Sequence, residues 1–101
     1  MIKIKQISER INDEIEGAEC YARFALEFKE NDPQLARVMF QTSEDELGHV
    51  NRLHDSVVAL INKYRDEVGE PPEAMKAVYD YLHEQQIDRV KKVRILHEMY
   101  R

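Results

Sequence analysis

Apolar residues in the N-terminal part of the chain recur at alternating intervals of three and four: Ile4, Ile7, Ile11, then Glu14, Ala18, Tyr21, Ala25 and Phe28. That spacing puts them on one stripe of an α-helix and predicts a helix over about 3–30. A second stripe runs through Leu35, Met39, Thr42, Glu46, His49, Leu53, Val57 and Leu60, widened by Val38, Val50 and Ile61, and predicts a helix over about 33–68. The third is less regular. Met75, Val78, Leu82, Gln86, Val90, Val93 and Leu96, flanked by Tyr79 and Tyr100, predict a helix over about 72–100. The first two stripes are apolar at their ends and polar in their middles.

Two breaks separate the helices, and each has a mechanism. Asp32 is placed to cap a helix whose first residue is Pro33. Gly69 suits the left-handed conformation just past a helix end, and Pro72 suits the start of the next helix. The first connection is too short to do more than reverse the chain, so the first two helices should form an antiparallel hairpin. The third helix is expected on that hairpin or on a partner chain. The reading is an all-α chain with one domain over 1–101.

Composition narrows the partners. With 35% charged residues, 8% aromatics and only three Gly and three Pro, this is the make-up of long helices with few turns. At 101 residues a hairpin would gain by burying its apolar face against a second copy. The net charge of -5 argues against nucleic acid or an anionic membrane and favours a cationic ligand. No apolar run suits a signal peptide or approaches the ~20 residues of a membrane span, so a cytoplasmic location is expected. Cys20 stands alone, which excludes an internal disulfide and a cysteine-based zinc cluster within one chain.

Chemistry enters with the polar middles of the two stripes. A carboxylate on a buried face, Glu14, costs several kcal/mol unless it is paired or binds a metal. Glu46 and His49, three residues apart, stand side by side on the second helix. One Glu plus one Glu-x-x-His is half of the ligand set that four-helix bundles use to hold two metals, and a twofold dimer of the hairpin would supply the other half. Four carboxylates against two divalent cations then balance in charge. Hard oxygen ligands favour iron or manganese and admit zinc. No phosphate loop or nucleophile elbow is present, so phosphoryl and acyl transfer have no support.

Glu14, Tyr21 seven residues later, and Glu46 opening Glu46-Leu47-Gly48-His49 lie within DEIEGAECYARFALEF and LARVMFQTSEDELGHVNRL. This arrangement resembles the ferritin and rubrerythrin superfamily over roughly the first two-thirds of the chain. With one hairpin in place of two, it looks most like the encapsulated ferritins. The resemblance implies a ferritin-like hairpin that completes a four-helix bundle by homodimerisation, or within a higher homo-oligomer. It further implies two irons per dimer held by Glu14, Glu46 and His49 of both chains, and a ferroxidase-type oxidation of ferrous iron. It gives Tyr21 a supporting place behind the ligands. No cargo-targeting tail follows the third helix, so enclosure in a protein shell is not expected, and Cys20 stands where the encapsulated ferritins tend to have Trp.

Plainer readings compete at each residue. Glu16 is the rival to Glu14, but two positions along a helix is ~200° around it, so only one faces the seam. Glu16, Glu19 and the run Ser43-Glu44-Asp45 are expected on solvated faces, as are Asp80 and His83 despite their ligand-like spacing. Cys20 is expected to pack as a small core residue, and His54 and His97 carry no signal. The alternative function is a non-catalytic oligomerisation or assembly protein, in which Glu14, Glu46 and His49 form a structural polar or metal network.

Overall fold

A computed structural model describes residues 2–101 as three helices, with no strand among the described residues. These are α1 (Ile2–Phe28), α2 (Pro33–Glu67) and α3 (Glu73–Tyr100), packed into a rod of 55 × 18 × 17 Å. Among the described residues no helix is long and apolar enough to cross a membrane. The breaks work as their residues dictate. The Asp32 carboxylate accepts the Leu35 N–H at 3.2 Å with Pro33 opening the helix, and the Asp32 N–H closes α1 on the Phe28 carbonyl at 2.8 Å. Gly69 takes φ +120°, which only glycine adopts without strain. Pro72 sits one place before α3 rather than at its first residue, and its carbonyl accepts the Lys76 N–H.

The expected α1 line is kept at Ile4, Ile11, Ala18 and Ala25 and shifts by one residue at Ile15 and Ala22, while on α2 Ala36, Ser43 and Leu47 are buried one place past the expected Leu35, Thr42 and Glu46. α1 buries Ile4, Ile11, Ile15, Ala18, Ala22 and Ala25, and α2 buries Ala36, Ser43, Leu47 and Val50. Glu14, Tyr21, Glu46 and His49 each stand one residue, ~100°, from a buried neighbour (Ile15, Ala22, Leu47 and Val50) and lie at the margin of the core rather than within it. The cause is α3, which folds back on its own hairpin and leans on α1 far more than on α2. Both hairpin helices have apolar arcs wider than one stripe; α3 takes one edge of each arc and leaves the other uncovered. On α3 the buried residues are Gln86, Val93 and His97, whereas Val78, expected inward, is 55% exposed.

Short side chains let α1 and α2 come close. The Ser43 hydroxyl donates to the Ala18 carbonyl of the facing helix at 2.6 Å, so its single hydrogen is committed. His97, 2.7 Å away, must then donate its Nε2–H to the Ser43 oxygen, which fixes its tautomer. Phe40 stands edge-on to the His97 ring and stacks on Tyr100. Farther along, Gln86 donates to Asn12 at 3.1 Å and to Ser8 at 3.2 Å, which ties α3 to α1. Two expectations change here: Ser43 is not part of a solvated run, and His97 is a core residue. Both faces were set by the placement of α3. With Ser43 against Ala18 in an antiparallel pair, Ile2 falls roughly opposite Ala59, so residues 60–67 of the 35-residue α2 run past the start of the 27-residue α1.

Two outcomes follow from this junction. Ser43→Ala should destabilise the fold by about 1–3 kcal/mol in chemical denaturation, because it strands the buried His97 N–H and removes the bond to the Ala18 carbonyl, which keeps only its place in the α1 ladder. Burial, the main influence on His97, holds its pKa below the ordinary 6.5. The folded chain therefore binds this proton less readily than the unfolded chain does. The stabilisation is complete above pH 6.5 and falls away as pH drops below it towards the folded-state pKa. Thermal melts of His97→Gln, which keeps an N–H for Ser43, should show a weaker loss of stability on acidification than the parent.

Candidate metal centre

Three elements of local structure converge at the middle of the hairpin. Glu46 and His49 project side by side because three residues nearly complete a helical turn. The antiparallel register set by Ser43 and Ala18 brings Glu14 level with Leu47, between the two. His49 Nδ1 lies 3.5 Å from Glu14 Oε2 and 4.0 Å from Glu46 Oε2. Each of the three offers a donor atom within 4.8 Å of the others, and no other three His, Cys, Asp or Glu side chains come this close among the described residues. Their side chains are 30%, 21% and 44% exposed for Glu14, Glu46 and His49. The group opens on the face that α3 leaves bare.

The two carboxyls are pushed in opposite directions by their closeness. Glu14 is held below the usual carboxylate range, first because it accepts a hydrogen bond from the Glu46 carboxyl; burial opposes this, and His49 and the Arg10 charge add to it. Glu46 is pushed above that range, first by the same bond, then by burial and by the charge on Glu14. Two like charges so close are costly to keep together, and a shared proton is one way to relieve them; a cation is another.

Space beside the group comes from Gly17, one turn after Glu14. A Cβ built there would lie 3.5 Å from Glu46 Oε2, an ordinary contact, so glycine leaves the carboxylate free of any neighbour on that side. The signal for this was available in the spacing of Glu14 and Gly17, though a helical glycine has many other readings. Tyr21 is half-buried, and no hydrogen bond among the described residues joins its hydroxyl to the group. Glu16 points to solvent and Glu19 pairs with Arg23 at 2.9 Å. Cys20 is exposed, contrary to its expected place in the core, because it falls two residues from both Ala18 and Ala22 and so on the far side of α1. Asp80 and His83 are solvent-facing as expected. The His83 ring nevertheless stacks on His54 at 4.6 Å, a contact no spacing within one helix could disclose.

The chain matches no family model, no curated protein and no solved structure. The chemistry open to the group is that of its donors, two carboxylates and an imidazole. Gly17→Ala should fold and, in metal-free protein, gain about 1 kcal/mol in thermal or chemical unfolding, the helix propensity that glycine forgoes. A loss of stability would mean that the space beside Glu46 is filled in solution.

Proposed function

We propose that this chain is a single-hairpin, ferritin-like metal protein of the cytoplasm, which dimerises through the bare face of α1 and α2 and handles iron there. The observation that carries the reading is the convergence of Glu14, Glu46 and His49 within 4.8 Å on a face that its own chain leaves uncovered. Two carboxylates and an imidazole suit ferrous iron, manganese or zinc. Apolar side chains lie towards the same face at the Asp32 end of the hairpin, where Phe24, Leu35 and Val38 are 38%, 37% and 49% exposed. A second copy related by a twofold axis would cover them and double the ligands to four carboxylates and two imidazoles.

In this reading Glu14 and Glu46 supply negative charge and His49 a neutral nitrogen, and Gly17 leaves room beside Glu46. Ferrous iron is the substrate, giving up one electron per ion to oxygen or peroxide. The half-exposed site leaves iron and oxidant a way in, and the apolar surround limits water once the second copy is seated. The polar-network alternative draws on the contact of His49 Nδ1 with Glu14 Oε2 at 3.5 Å and on the opposed shifts of the two acids, Glu14 downward and Glu46 upward, which would let one proton serve both without a cation.

Protein purified without added metal or affinity tag should carry about one metal per chain, as a shared two-metal site requires, and Glu46→Ala plus His49→Ala should lose it. Ferrous ion should tighten the dimer, read as a lower dissociation constant in sedimentation, and should be oxidised with uptake of oxygen or peroxide. Metal-free protein that refuses ferrous ion in an anaerobic titration, and keeps its oligomeric state under chelation, would establish the polar network instead.

A further inference from the structure

Four large apolar side chains left in solvent fall on one line of α3: Val78 at 55% exposed, and Tyr81, Ile95 and Met99 at 60% each. The line starts at Ala74 and reaches Met99 in alternating steps of four and three, with exposed Gln85, Asp88 and Lys92 filling its middle. This is the a/d spacing of a coiled coil, kept over nearly the whole helix. It lies ~100° around α3 from the line through Gln86 and Val93 that is buried on the hairpin. One helix therefore has two seams, of which its own chain fills one.

We propose that the second seam binds α3 of another copy of this chain in antiparallel orientation. A single register satisfies every layer when a positions face d positions. Ile95 then meets Val78 of the other copy and Met99 meets Ala74. Lys92 meets the face of Tyr81, where a cation is favoured, and Asp88 meets Gln85. Twofold symmetry repeats each layer, so the apolar ends pair with apolar ends and the polar middle is matched within itself. On the flank Glu84 comes opposite Lys91 of the other copy, again twice, which is the opposite-charge pairing that sets partner and orientation in coiled coils. A parallel pair would instead stack Asp88 on Asp88 and Lys92 on Lys92.

The surface beside this seam agrees with the register. A cavity of about 690 Å³ lies between α1 and the start of α3, with Ile2, Met75, Val78 and Leu82 among its lining, and Ile2 is 76% exposed. The register sets Ile95 and Met99 of the second copy down at that end of α3. The seam is also separate from Glu14, Glu46 and His49. Asn12, which holds Gln86 of α3, is two residues from Glu14 and thus on nearly the opposite side of α1. The pairing stands whether or not the metal reading does.

Sedimentation velocity of the full chain, in chelator so that the metal face contributes equally throughout, tests the pairing. Glu84→Lys and Lys91→Glu should each raise the dissociation constant of the α3 pair about tenfold, and the double variant should restore it, since the charges are then exchanged on both copies. These positions are exposed, and circular dichroism verifies that each variant stays helical. In a Cys20→Ser background, a mixture of Val78→Cys and Ile95→Cys chains should form a disulfide between the two kinds of chain, with little between like chains. Variants that sediment as the parent does, a double charge exchange no better than the singles, or cross-linking without preference for the mixed pair would each overturn the proposal.

Discussion

Ala18, Ala22, Ala25 and Ala36 carry side chains too short to hold α1 and α2 apart, and the resulting close approach decides the rest of the molecule. It lets the hydroxyl of Ser43 reach across to a backbone carbonyl of α1, which locks the register of the hairpin. It makes a shallow trough on one side of the pair, into which Val93 and His97 of α3 fit. On the other side it brings a carboxylate of α1 within reach of a carboxylate and an imidazole of α2. Larger residues along that seam would weaken all three arrangements together.

The polar groups divide between the two sides according to how fully they can be satisfied. His97 and Gln86 are deeply buried, and each finds partners on the facing helix that use its hydrogens. Glu14 and Glu46 have only each other and His49, and they stay at the margin where solvent or a cation can reach them. A carboxylate pair moved one residue inward would lie among Ile15, Ala18 and Leu47 with no donor to meet it. The same constraint places the acids off the core line and leaves them available for chemistry.

Much of this could be read from the residues. The two breaks carry their own stereochemistry in Asp32-Pro33 and Gly69, so the helix limits were legible to within two residues. Glu14, Glu46 and His49 were legible as a group because three-residue spacing and an antiparallel hairpin are enough to bring them together. The buried side of the hairpin was legible only in part, at Ile4, Ile11, Ala18, Ala25 and Val50. Both edges of each apolar arc satisfy the three-and-four rule, and only the docking of α3 distinguishes them. Ser43, His97, His54 and His83 act across helices far apart in sequence, where no local spacing announces a partner.

The unequal lengths of the hairpin helices have a consequence for motion. Residues 60–67 of α2 run beyond the start of α1, and Val68 just past them is 70% exposed. Their backbone hydrogen bonds close within the helix but are not shielded by a neighbouring α1 turn, so this end can open without disturbing the Ala18 to Ser43 junction. Exchange of amide hydrogens there should outpace that at the centre. The chain thus joins a rigid half, where α1, α2 and the end of α3 interlock, to a looser half around the Gly69 turn.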